Sequence, residues 1–143
     1  MLPLLSIIAG ALIAIQAGIN SQLGVILKNS LLATVIAFMV SALISLIGLL
    51  AISKNLPTNE VIRSVPLHFW FGGAISAFGV GLFYFLIPKM GVGSMMSLAL
   101  TGQLITAVLI SHFGWFGLPE STLSLSKCLG VFAMISGILL INR

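Results

Sequence analysis

The distribution of charge constrains this chain more than any other feature. Its formally charged side chains all fall in gaps between long apolar runs; they are Lys28, Lys54, Arg63, Lys89, Lys127 and Arg143, with Glu60 and Glu120. The runs between them, such as 31–52 and 92–110, carry no charge. A charge in the middle of a bilayer costs several kcal/mol, whereas a charge at the headgroups costs little. The pattern therefore predicts a chain whose solvent is lipid.

Composition supports the same class. The chain is 59% hydrophobic and 6% charged, so it cannot build the polar exterior that a soluble domain of 143 residues needs. The cations are dispersed rather than clustered, which predicts interfacial anchors and no nucleic-acid partner. The single cysteine, Cys128, excludes an intrachain disulfide and a cysteine-based metal site. We expect an all-α integral membrane protein with no cofactor and no metal.

Apolar runs of about 20 residues predict the spans. We expect one membrane domain over residues 1–143, with five helices at about 4–26, 31–53, 68–87, 92–111 and 122–142. The last has the shortest charge-free core, residues 128–142, so its helix should begin several residues earlier with Lys127 reaching to the headgroups. A five-transmembrane-helix bundle is the predicted fold.

The loop cations predict no preferred orientation. Counting gaps alternately puts Lys54, Arg63 and Lys127 on the N-terminal side and the other three cations opposite, so the excess that sets topology is zero. Two interpretations follow. Either the terminal amine or one loop residue gives the chain a weak preference for one orientation, or copies insert in both orientations.

Uncharged amides are the most informative groups inside the predicted spans. Gln16 and Asn20 lie four residues apart on one face of the first span, and Gln103 lies in the middle of the fourth. An amide in hydrocarbon must find hydrogen-bond partners. One interpretation is contact between helices, such as Gln16 with Gln103. The other is a polar substrate site near the membrane midplane, and the two are compatible.

The third span carries aromatic residues at both ends of a small-residue face. Trp70, Gly73, Ala77, Gly81 and Tyr84 recur at helical spacing. Trp70 and Tyr84 could shape the walls of a ligand cavity. The alternative, which their positions near the span ends favour, is that both are interfacial belt residues.

The chemistry that is missing also limits function. No charge-free core contains Asp, Glu, Lys or Arg, so proton-for-cation exchange through an embedded carboxylate lacks its central residue. No Ser-His-Asp set, metal cluster or phosphate-binding glycine loop can be assembled, which argues against an enzyme.

Three segments resemble one family. Residues 10–24, with Gln16, Asn20 and Gln22, resemble the opening signature of the YdcZ-type proteins, small members of the drug/metabolite transporter superfamily. Residues 102–117 are similar to that family's fourth-span motif, and residues 123–137 to its closing span. At Ser111 the family often has an acidic residue, so an ion-coupling role for that acid cannot be carried over.

The resemblance implies a five-helix half-transporter in which two inverted halves mimic a ten-helix inverted repeat. It also places Gln16, Asn20 and Gln103 in a shared polar core. We therefore expect a multi-pass protein of the prokaryotic inner membrane, working as a dimer by alternating access on a small, modestly polar or amphipathic metabolite. The expected partners are lipid, substrate and a second copy, most simply inverted, or a paralogous half. Alternatives are a dual-topology small-ion channel and a non-transporting membrane assembly subunit.

Overall fold

The computed structural model describes residues 1–53 and 56–143, which form helices joined by turns and coil and contain no β-strand. The helices are α1 (Leu2–Ile26), α2 (Ser30–Ile52), α3 (Asn59–Ser64), α4 (Gly72–Met90), α5 (Val92–Phe113) and α6 (Leu125–Ile141). A 3₁₀ turn, Leu67–Phe71, leads directly into α4, and a second, Trp115–Gly117, follows α5. The chain is therefore all-α over the described residues, as the sequence predicts.

Four of these helical segments are long and apolar enough to cross a membrane. They are α1, α2, the continuous stretch Leu67–Met90, and α5, with 25, 23, 24 and 22 residues. At 1.5 Å per residue even the shortest spans roughly 33 Å, slightly more than the hydrocarbon core of a bilayer. Most of their large apolar side chains are exposed, as helices facing lipid require.

The last helix, α6, is shorter than these. Its 17 residues span roughly 25 Å, and it begins at Leu125 where the sequence analysis places the start near residue 122. The N-cap is Ser124, whose hydroxyl accepts a hydrogen bond from the Lys127 amide. The Lys127 ammonium donates to the Thr122 carbonyl and the Ser121 hydroxyl, which both precede the start of the helix. A fifth span, and with it the five-helix bundle, stays a prediction.

Two further features differ from the sequence expectation: the end of one helix and the presence of a short one. The helix expected at about 68–87 continues through Pro88 to Met90, because a proline so near the C-terminus removes only one hydrogen bond of the last turn. The short helix α3 was not expected, since its six polar-rich residues carry no long apolar period. Lys54 belongs to the predicted polar loop but lies outside the described residues.

The chain divides into two compact units, residues 1–89 and 90–143. In the first unit, α1 packs against α2 after a tight turn at Lys28, which has a φ of 53°. The Asn29 side chain caps α2 by accepting a hydrogen bond from the Leu32 amide at 3.0 Å. The helices approach closely at Gly24: a Cβ added there would lie 3.3 Å from the Cα of Ser30.

In the second unit, α5 packs against α6. The left-handed Gly114 (φ 59°) ends α5, and the following loop folds back so that the Ser121 amide donates to the Ser111 carbonyl at 2.8 Å. At the far end of α6, the Asn142 amide donates to the Ser97 hydroxyl at 2.8 Å and so ties the two helices together.

Candidate functional site

A hydrogen-bonded cluster of three side chains joins α1 to α4. Asn20 Nδ2 donates to the Tyr84 hydroxyl at 2.9 Å and approaches Gln16 Oε1 at 3.4 Å. The Tyr84 hydroxyl in turn lies 3.4 Å from the same Gln16 oxygen. We call Gln16, Asn20 and Tyr84 the amide–tyrosine cluster. It brings together three of the five site residues that the sequence predicts.

Local sequence positions this cluster. Gln16 and Asn20 are one helical turn apart, so their side chains share a face of α1. The neighbouring residues Ala17 and Ser21 are buried, and the Ser21 hydroxyl is satisfied by the Gly18 carbonyl of its own helix. Small residues beside the amides thus let the large Tyr84 ring of α4 reach α1.

Tyr84 is the largest fully buried side chain among the described residues, with 2% of its surface exposed. A belt residue would place its hydroxyl in the headgroup region, whereas this hydroxyl is bonded to a side chain of a neighbouring span. This burial and this bond agree with Tyr84 as a wall residue, and the belt interpretation stays a prediction. The helix continues six residues beyond Tyr84, or roughly 9 Å, and ends three residues after the predicted end of the span at residue 87.

The cluster borders a cavity of about 150 Å³, which we call the inner cavity. Gln16 and Tyr84 line it together with Phe38 and Ser41 of α2 and Ser76 and Val80 of α4. None of these side chains carries a formal charge. The inner cavity therefore offers amide and hydroxyl hydrogen bonds beside apolar surface, which suits an uncharged, partly polar molecule.

Sequence reasoning did not single out Ser41 or Ser76 as site residues. A signal was available for Ser76, because Ser76, Val80 and Tyr84 recur every four residues and so share one face of α4. Which face of α2 meets that stripe depends on the packing of the helices, and a single sequence does not contain it.

Of the other two predicted site residues, Trp70 lies away from the cluster and Gln103 belongs to the second unit. Trp70 is in the 3₁₀ turn before α4, about 20 Å along the helix axis from Tyr84, and is 60% exposed. This position agrees with an interfacial residue. Gln103 lies on α5 in the second unit with its side chain exposed. The partners of Gln16 within the first unit are Asn20 and Tyr84, and a pairing of Gln16 with Gln103 stays a prediction.

Among the described residues, no three His, Cys, Asp or Glu side chains come together as a metal site would require. The chemistry of the cluster is that of neutral hydrogen-bond donors and acceptors. Such groups can bind and orient a molecule through hydrogen bonds.

Comparison with known families decides the class. A family profile described as "Putative inner membrane exporter, YdcZ" matches residues 1–140. The chain belongs to the YdcZ family of the drug/metabolite transporter superfamily. No curated protein and no solved structure matches the chain. The resemblance predicted from the segments around Gln16 and Gln103 is thereby confirmed, over nearly the whole chain.

Membership gives the YdcZ-family protein its location and broad class. The family description and the four long apolar helices together make it a multi-pass protein of the inner membrane. An exporter family also supports a membrane transporter rather than an enzyme. Within this YdcZ-family protein, the amide–tyrosine cluster joins three side chains of α1 and α4 by hydrogen bonds.

Proposed function

We propose that the protein exports a small, uncharged or modestly polar metabolite by alternating access, with the amide–tyrosine cluster as part of the substrate site. The observation that carries the proposal is the arrangement of Gln16, Asn20 and Tyr84 beside the inner cavity. Transporters place their sites near the bilayer midplane, where polar groups are costly unless function or packing requires them. Family membership supports the export of a small molecule.

The hydrogen-bonding capacity of the cluster is not exhausted by its internal contacts. The Gln16 amide is exposed and retains its two N–H donors, while the Ser41 and Ser76 hydroxyls border the same cavity. A substrate carrying a carbonyl, hydroxyl or amide could bond to these groups while its apolar part packs against Phe38 and Val80. A formally charged substrate would find no countercharge among the residues lining the inner cavity.

We further propose that two copies work together, inverted relative to each other. Gln16 and Gln103 both carry exposed amides within helices long enough to span the bilayer, and an exposed amide in hydrocarbon needs a partner. A second copy could supply such partners. The equal division of loop cations between the two sides supports insertion in both orientations.

Reconstitution into vesicles tests this function. Purified protein is screened for counter-transport of a panel of uncharged, anionic and cationic metabolites, and the active members are measured again with Asn20→Leu and Gln103→Leu. The matched control is Gln22→Leu, which removes an exposed amide two residues from Asn20 on another face of α1. We expect saturable counter-transport that the control retains and both variants lose.

Two results would overturn this proposal. Single-channel currents without saturable counter-transport would support the small-ion channel instead. Folded protein that moves no member of the panel would support the assembly-subunit interpretation.

A further inference from the structure

A second and larger cavity lies at one end of the first unit. Its volume is about 360 Å³, and we call it the outer cavity. The residues lining it come from the C-terminal ends of α1 and α4 and the start of α2, and they include Val25, Lys28, Ser30, Tyr84 and Pro88. Tyr84 therefore lines both the outer cavity and the inner cavity.

Along each of the three helices, the residues that line the inner cavity and those that line the outer cavity lie on opposite sides of the level of Tyr84. Along α1 and the turn after it, Gln16 lines the inner cavity and residues 24, 25 and 28 line the outer cavity, with Asn20 between them. At α2 and its N-cap, residues 29–31 line the outer cavity and residues 37, 38 and 41 line the inner cavity. On α4, residues 76 and 80 line the inner cavity and residues 85 and 88 line the outer cavity. The Asn20–Tyr84 contact thus lies in the wall between the cavities.

The same wall contains buried side chains, although Thr34 and Gly81 also line a third cavity of about 670 Å³. Ala33 is completely buried, Thr34 is 5% exposed, and Tyr84 is 2% exposed. A Cβ added at Gly81 would lie 3.5 Å from Thr34 Oγ1, so α4 and α2 are in van der Waals contact at this level. Passage between the cavities therefore requires movement of the Tyr84 ring or of the helices beside it.

The outer cavity is electropositive. Lys28 lines it, and Lys89 Nζ lies 3.5 Å from the centre of the Phe85 ring, which also lines it. No acidic residue occurs between Met1 and Asn59 in the sequence. The first, Glu60, lies on α3 beyond the opposite end of α2, which spans roughly 35 Å. The lysine charges at the outer cavity are therefore without a nearby carboxylate in the first unit.

We infer that the outer cavity is the entrance of the substrate path, that Tyr84 forms its inner wall, and that Lys28 makes the entrance exclude cations. This inference rests on the proposed transport function and deepens it. A cation entering would be repelled by Lys28 and would then reach an inner cavity without countercharge. The transported class is accordingly uncharged molecules, and organic cations are rejected at the entrance.

Charge-selective thiol labelling tests the entrance without knowledge of the substrate. Ser30→Cys is introduced with Cys128→Ala, and purified protein in detergent is treated with a sulfonate-bearing or a trimethylammonium-bearing methanethiosulfonate. The ratio of the anionic to the cationic labelling rate is divided by the same ratio for a small free thiol. The ionised fraction of the cysteine affects both rates equally and therefore cancels. Ser64→Cys on α3 is the reference position, because Glu60 and Arg63 offset each other there.

We expect the normalised ratio at Ser30→Cys to favour the anionic reagent by about fivefold or more over Ser64→Cys. Lys28→Gln should abolish the preference, and Lys28→Glu should reverse it. Arg63→Gln is the matched control, since Arg63 does not line the outer cavity, and it should leave the ratio at Ser30→Cys unchanged. An equal ratio at the two cysteines, or a preference that Lys28→Gln leaves intact, would overturn the charge assignment.

A second readout asks whether the entrance lies on the path. Modification of Ser30→Cys should block counter-transport in vesicles, whereas modification of Ser64→Cys should leave it intact. Continued transport after complete modification of Ser30→Cys would overturn the entrance while leaving the proposed function standing. Conversely, if the protein transports nothing before modification, the proposed function is contradicted. The labelling ratios then still test the charge of the outer cavity.

Discussion

Asn20 donates a hydrogen bond of 2.9 Å to the hydroxyl of Tyr84, across 64 positions of the chain. The bond joins α1 to α4 at a level where Tyr84 is almost completely buried. A tyrosine hydroxyl buried in hydrocarbon needs a partner, and an asparagine at the same depth has the same need. One contact meets both requirements, and it also forms the wall between the inner and outer cavities.

The first prediction concerns the energy of this contact. Asn20→Ala and Tyr84→Phe should each lower the free energy of unfolding, and the double variant should lose less than their sum. We expect a coupling energy of about 0.6 kcal/mol, the average for side-chain hydrogen bonds between membrane helices. Reversible unfolding in detergent measures it. The matched pair, Gln22→Ala with Tyr84→Phe, should be additive, and equal coupling in both pairs would refute a direct bond.

The second prediction concerns the packing of α1 on α2. A methyl group added at Gly24 would lie 3.3 Å from the Cα of Ser30 and 3.5 Å from the Cβ of Ala33. Because both neighbours lie where α2 packs against α1, Gly24→Ala should cost about 1 kcal/mol or more and lower the midpoint of thermal unfolding. Gly10→Ala on the same helix meets nothing within 4 Å and should be neutral or stabilising. Equal midpoints for the two variants would refute the close approach.

The third prediction concerns the second unit. The Asn142 amide bonds to Ser97 of α5 and also to the Ile138 carbonyl of its own helix. Asn142→Ala should therefore free the last turn of α6 and raise amide hydrogen exchange there, with less effect near Leu125. Ser136→Ala removes a hydroxyl that bonds only within α6, to the Phe132 carbonyl, and serves as the control. Unchanged exchange in the last turn of Asn142→Ala would contradict the role of this contact.

The fourth prediction concerns orientation. A cysteine appended after Arg143, combined with Cys128→Ala, should be labelled by an impermeant reagent from both faces of the inner membrane. The physical reason is the equal number of cations assigned to the two sides. Intact spheroplasts and inverted vesicles supply the two faces. Labelling from one face only would exclude the inverted homodimer and leave an inverted paralogue as the proposed partner.

Much of this architecture could be predicted from the sequence, because burial in lipid is a property of long segments. The charge-free runs give the four long helices within a few residues, and the amides Gln16 and Asn20 mark the polar face of α1. Tyr84 was recognised as a candidate wall residue, but its bond to Asn20 was not. That bond depends on which faces of α1 and α4 meet, and small-residue stripes on several helices allow more than one pairing.

Other features could not be predicted from the sequence because they depend on local contacts. The start of α6 is set by the capping hydroxyl of Ser124, so the helix begins at Leu125 and not near residue 122. The belt interpretation of Tyr84 followed from its position three residues before the predicted end of the span at residue 87, and α4 ends at Met90. Trp70, by contrast, is exposed at its end of the segment, as an interfacial aromatic should be.

The central claim is that the amide–tyrosine cluster binds the transported molecule. The most direct test is the initial rate of counter-transport in vesicles for Asn20→Leu and Gln22→Leu, using the most active uncharged member of the panel. Both variants remove one amide from α1, but only Asn20 contacts Tyr84. We predict at least a tenfold loss of rate for Asn20→Leu and a nearly unchanged rate for Gln22→Leu. Equal rates for the two folded variants would contradict the assignment of the site.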